Sequence, residues 1–153
     1  MTNFFSRLTI PAILAAAVTF GTANAADRGS LDEAKALAQK AAAFMKTNIA
    51  TPQKALDSFQ NDPSWQDRDL YVTVRTKDGT SVAHPKQPAM VGKNQIDLKD
   101  VDGKPLVREI VACQAECWVE YKWKNHATGA IEAKSSYVVA VGDYRVLVGA
   151  YKP

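Results

Sequence analysis

The stretch AKSSYVVAV, residues 133–141, sets a long cation, Lys134, near a phenol, Tyr137, at the head of an apolar run. Why a long cation should stand near a phenol there is a chemical question, since an ammonium supplies charge and a phenol a directional donor. Strict alternation groups Lys134 with Ser136 and Val138, and Tyr137 with Ser135 and Val139. The two converge only where a bulge re-aims one of them. A second group lies in CWVEYKWK, residues 117–124, where Val119, Tyr121 and Trp123 share one face and Glu120, Lys122 and Lys124 the other. Tyr121 and Trp123 serve equally as core aromatics, and Lys134 as a surface lysine.

Other chemistry finds little support. His84, before Pro85, and His126, in a turn, read singly as hydrogen-bonding structural residues. Cys113 and Cys117 are the only cysteines. Four apart at the end of a predicted helix, they are either a local disulfide, contributing about 2 kcal/mol, or a pair of free thiols. Their spacing matches neither haem attachment nor a paired zinc motif, and with scattered histidines no metal site is expected. In LKDVDGKPLVRE the first calcium-loop position is Leu98, which has no oxygen ligand to offer. Phosphate loops, nucleophile elbows and H-E-x-x-H are absent, so neither catalysis nor a cofactor is expected.

The elements that must position these residues follow from periodicity. Ser30-Leu31-Asp32-Glu33 has the form of a capping box. Apolar residues then recur at steps of three and four from Leu31 to Met45, predicting a long amphipathic helix with an alanine-rich stripe. Thr51-Pro52 interrupts it and opens a shorter helix through Phe59, with Thr51 as its cap. From Asp69 the period becomes two: DLYVTVR and SVAH read as a hairpin turned at Gly79. Residues 85–103 read as a loop, Pro105 to Cys113 as a short helix, and the remainder as three antiparallel strands. Five strands with segregated helices predict one α+β domain, a PAS-like five-stranded antiparallel sheet with a long N-terminal helix.

Of the 153 residues, 46% are hydrophobic and 23% charged, in keeping with a single ordinary domain. The first segment differs from the rest. Arg7, the apolar run Leu8 to Phe20 and Ala23-Asn24-Ala25 have the form of a signal peptide, residues 1–25, cut after Ala25. The run is too short for the roughly 20 apolar residues of a span, and Pro11 interrupts it, so no membrane span is expected after cleavage. Residues 26–153 would then be a periplasmic or secreted domain, a compartment in which a disulfide persists. A formal charge of only +3, with acids and bases interspersed, argues against a nucleic acid partner.

The stretch from DLYVTVRTKDGTSVAHP through VGKN and KDVDGKP to CWVEYKWK, AKSSY and the final VGAY resembles the single Cache domain, type 2, the PAS-like extracellular sensor module of bacterial chemoreceptors and sensor kinases. The resemblance runs from about Ser30 to Pro153. It implies a pocket on the sheet face opposite the long helix, roofed by the loop and short helix, that takes small metabolites, often short organic acids. It further implies a lining of His84, Tyr121, Trp123, Lys134 and Tyr137, with Lys134 neutralising a carboxylate, the two phenols donating to it and Trp123 bounding the apolar part. The chain stops after the last strand, without the second transmembrane helix and output domain of the receptors, so a membrane receptor or sensor kinase is expected as partner. The alternative is a structural or regulatory interaction module with no small-molecule ligand.

Overall fold

The computed structural model describes residues 28–152, and the expected signal segment, residues 1–25, lies outside the described residues. Helix α1 (Leu31–Thr47) starts at the capping box: the Ser30 hydroxyl accepts from the Glu33 amide and the Glu33 carboxylate from the Ser30 amide. Its alanine stripe, Ala34, Ala38, Ala41 and Ala42, is buried with Met45 against the sheet. Helix α2 (Pro52–Asn61) follows. Thr51 stands at its N-cap but makes no side-chain capping bond, so Pro52, with its φ already helical, sets the start alone. Trp65 packs between Phe44 and Phe59 and closes the end of this core.

The strands are β1 (Gln66–Asp67), β2 (Leu70–Thr76), β3 (Ser81–Ala83), β4 (Glu116–Lys124), β5 (Ile131–Val141) and β6 (Tyr144–Tyr151). All five expected strands are present, and β1 adds a two-residue edge pairing to β2. Every pairing is antiparallel, in the order β1-β2-β6-β5-β4, with β3 also on the outer edge of β2. The final β5–β6 hairpin therefore occupies the centre of the sheet. Gly79, at φ 93°, turns β2 into β3.

Each central strand shows one phase to α1 and α2 and the other to the opposite face. Val72, Val74, Val139, Val146, Val148 and Ala150 join the helical core. On the far side Val119, Val138 and Leu147 pack beneath Leu106, Val107 and Ile110 of helix α3 (Leu106–Ala112). The helices thus cover one face tightly, while the other is roofed by α3 and the loop leading to it. No helix among the described residues is long and apolar enough to cross a membrane.

Candidate functional site

Beneath α3 lies a cavity of about 20 Å³, built by five elements. Strand β2 contributes Tyr71, Thr73 and Arg75; β4 contributes Tyr121 and Trp123; β5 contributes Lys134 and Ser136; β6 contributes Leu147 and Gly149. His84, just past β3, and Leu106 and Ile110 of α3 complete it. One register row, Tyr121–Lys134–Tyr151, crosses three adjacent strands and sets Lys134 between two phenols.

Lys134 is only 3% exposed. Its Nζ donates to the Tyr71 hydroxyl at 2.9 Å and stands 4.2 Å and 4.3 Å from the ring centroids of Tyr71 and Tyr151. Gly149 makes room for it: a Cβ there would sit 2.3 Å from both Lys134 Cε and Ser136 Oγ. Burial lowers the ammonium to about 7, opposed in part by the charge of Asp69. Arg75 is buried too, donates to Gln95 Oε1 at 2.7 Å, and is likewise lowered by desolvation. Among the described residues, neither cation has a carboxylate within salt-bridge distance.

The remaining polar groups are an imidazole and hydroxyls able to donate. His84 Nδ1 accepts from the Gln87 amide at 3.1 Å, which leaves Nε2 as the protonated nitrogen of the neutral ring. Burial and the nearby Arg75 and Lys134 hold this histidine neutral, with its pKa at about 3. The Tyr121 and Ser136 hydroxyls share a hydrogen bond of 2.7 Å. Trp123 meets the Tyr121 ring edge-on at 6.2 Å and forms the outer wall. Two cations, two phenols and an imidazole N–H converge on one small apolar-roofed space, a set suited to an anion of a few atoms.

Of the five lining residues expected, His84, Tyr121, Trp123 and Lys134 meet at the cavity and Tyr137 does not. Strand β5 pairs without a bulge on either side, so alternation carries Tyr137 to the α1 face. There it donates to Glu116, packs edge-on against Trp118 at 4.9 Å and lies under Lys35. The phenol that does join Lys134 is Tyr71, which the sequence reading placed in a strand but not in the site. Arg75, in phase with it two turns of the pleat further on, was missed in the same way. A glycine inside the apolar strand YRVLVGAY was the signal for a close approach at position 149.

Cys113 and Cys117 form a disulfide between the end of α3 and β4. The histidines and acids make no group able to hold a metal ion among the described residues. Asp100 instead organises a turn, accepting from the amides of Asp102, Lys104 and Lys122.

A PAS-like α+β domain with a cationic cavity on the face away from its long helix belongs to the class of small-molecule sensor domains. The sequence profile described as Single Cache domain 2 matches residues 21–151, and the chain belongs to that family. It is 36% identical over 84 residues to the sensor histidine kinase MctS of Rhizobium johnstonii, a match covering 54% of this chain and 18% of that protein. The chain thus matches less than a fifth of that relative's length. Among solved structures, a methyl-accepting chemotaxis protein from Vibrio parahaemolyticus is similar with a TM-score of 0.68 at 21% identity, over 78% of this chain and 86% of that one. A Cache chemosensory domain described in terms of carboxylic acid recognition gives 0.67 at 20% identity, over 80% and 92%. At such identities the likeness is one of fold.

Proposed function

We propose that this domain binds a short carboxylic acid outside the cytoplasm and conveys its occupancy to a membrane receptor or sensor kinase, without transforming it. The observation that carries this reading is the pair of buried cations, Lys134 and Arg75, that share a cavity and have no carboxylate partner among the described residues. Burying an ammonium unpaired is costly, and an incoming carboxylate supplies the missing countercharge. A charge-assisted bond of this kind contributes about 1.5 to 3 kcal/mol. That one solved domain of the same fold is described as recognising carboxylic acids supports the ligand class. A binding role is also favoured over catalysis by the chemistry of the site: the thiols are joined and His84 has already committed Nδ1 to a backbone amide.

Calorimetry at pH 6 with acetate, propionate, pyruvate and succinate tests the reading. Binding by at least one acid is expected. Lys134→Met should weaken it at least tenfold, whereas Tyr137→Phe, on the other face, should leave it unchanged. Equal affinity in wild type and Lys134→Met would remove the cation from the site. The smallness of the cavity favours a second reading, an interaction module without a ligand, and a panel in which no acid binds would count for it.

A further inference from the structure

Among the described residues, no group compensates the charge of Lys134 directly. Facing it are Tyr71 and Arg75 from β2, His84 after β3, Tyr121 from β4, Tyr151 from β6 and, further out, His126 from the β4–β5 turn and Asp69 before β2. Helix α3 offers the cavity only Leu106 and Ile110. Asp69 is the anion whose charge reaches Lys134. It lies beyond salt-bridge reach and gives one oxygen to the Gly29 amide at 2.6 Å. The open groove that Lys134 also borders carries Asp100, Asp102 and Glu120 together with Lys104, Lys122 and Lys152, and Glu120 is paired to Lys152 and Asp102 to Lys122. Arg145, opposite Arg75 in register, adds another buried cation on the same sheet face. An ammonium in this setting is disfavoured by lost hydration and by like charge, and both penalties lessen when an anion arrives.

We infer that the domain takes up a proton together with its carboxylate, so that anion capture at Lys134 is coupled to pH. This rests on the function proposed above and adds the regulation of that site. In the free domain at alkaline pH Lys134 is a neutral amine. As the anion enters, the amine's lone pair takes a proton from solvent, and the resulting ammonium bonds the carboxylate. Domain plus anion plus proton go to complex, with no redox change and no leaving group. Below the pH at which free Lys134 is already protonated, the same anion binds with no proton exchanged.

The other facing groups are displaced away from the range in which Lys134 titrates. His84 is held neutral, with its pKa at about 3, and His126 is lowered by partial burial and the neighbouring Lys134. Tyr71, Tyr121 and Tyr151 are raised above the usual phenol range by burial, and Arg75 remains charged. Lys134, at about 7, is left as the group that titrates between mildly acid and mildly alkaline conditions.

The experiment is calorimetry on the whole domain with whichever of acetate, propionate, pyruvate and succinate binds tightest at pH 6. It is run in paired buffers of different ionisation heat at pH 6 and pH 8. Expected uptake is about 0.1 proton per acid at pH 6 and about 0.9 at pH 8, with affinity falling about tenfold from pH 8 to pH 9. Binding without proton uptake at pH 8 overturns the coupling and leaves the carboxylate site standing. No binding by any acid at either pH overturns both. Independently, the carbon resonance of Lys134 Cε in the free domain should titrate near pH 7, and a midpoint near the ordinary lysine value of about 10.4 overturns the coupling by itself.

Discussion

An unfolded chain holds the Lys134 proton up to about pH 10.4, whereas the folded domain releases it at about 7. Between those values the unfolded state binds more protons than the folded one, so stability rises with pH across that window, and below 7 the full penalty is present. Lys134→Met keeps the packing stem and removes the charge. It is expected to stabilise the ligand-free domain by about 2 to 4 kcal/mol at pH 6 and by roughly half that at pH 9, read by urea denaturation. An equal gain at both pH values would mean that Lys134 is not the source. Cavity-lining residues were legible where the family resemblance named them, as for His84, Tyr121 and Trp123. Alternation warned that Tyr137 and Lys134 occupy different faces, and it was right. Tyr71 and Arg75 escaped because a strand's period shows which side chains share a face without showing which face holds the cavity.

At the scale of elements, β5 and β6 act as one device. Lys134 can lie flat along the sheet only because its neighbour across the β5–β6 ladder, in the adjacent row, is Gly149. Gly149→Ala would bring a methyl to 2.3 Å from Lys134 Cε and Ser136 Oγ, both buried, so the lysine would have to leave its place beside Tyr71. Overpacking of this sort costs about 1 to 3 kcal/mol, and the carboxylate affinity measured by calorimetry should fall at least tenfold. Unchanged affinity would show that the ammonium reaches the cavity by another path. Helix starts, the hairpin turn and the strand periods were readable from local sequence, since caps, Gly79 and alternation act within a few residues. The sheet order was not, because nothing in β2 alone specifies that β6 rather than β3 becomes its inner neighbour.

For the molecule as a whole, the question is how the proposed ligand, an acid of several heavy atoms, would enter a cavity of about 20 Å³, a space suited to about one water molecule. The roof is pinned at both ends. Lys104, just before α3, donates its amide to Asp100 and its ammonium to the Glu120 carbonyl, and the Cys113–Cys117 disulfide ties the other end to β4. Residues 92–95 are stitched to the β2–β3 hairpin through Ser81, Gly79 and Thr80. On the far face α1 is packed through its alanine stripe, which leaves no slack in the sheet. What remains is the wall. Trp123, half-buried on the outer strand β4, lines the cavity on one side and, on the other, an open groove of about 220 Å³ formed with Gln87, Met90, Val101 and Ile131. Because Trp123 borders both spaces, a change of its rotamer is the movement we expect to join them. Trp123→Ala is therefore expected to speed acid association several-fold in stopped-flow measurements and to shift preference towards longer chains in the panel. An unaltered association rate with the same chain-length order would place the way in elsewhere and require one of the pinned ends of the roof to open.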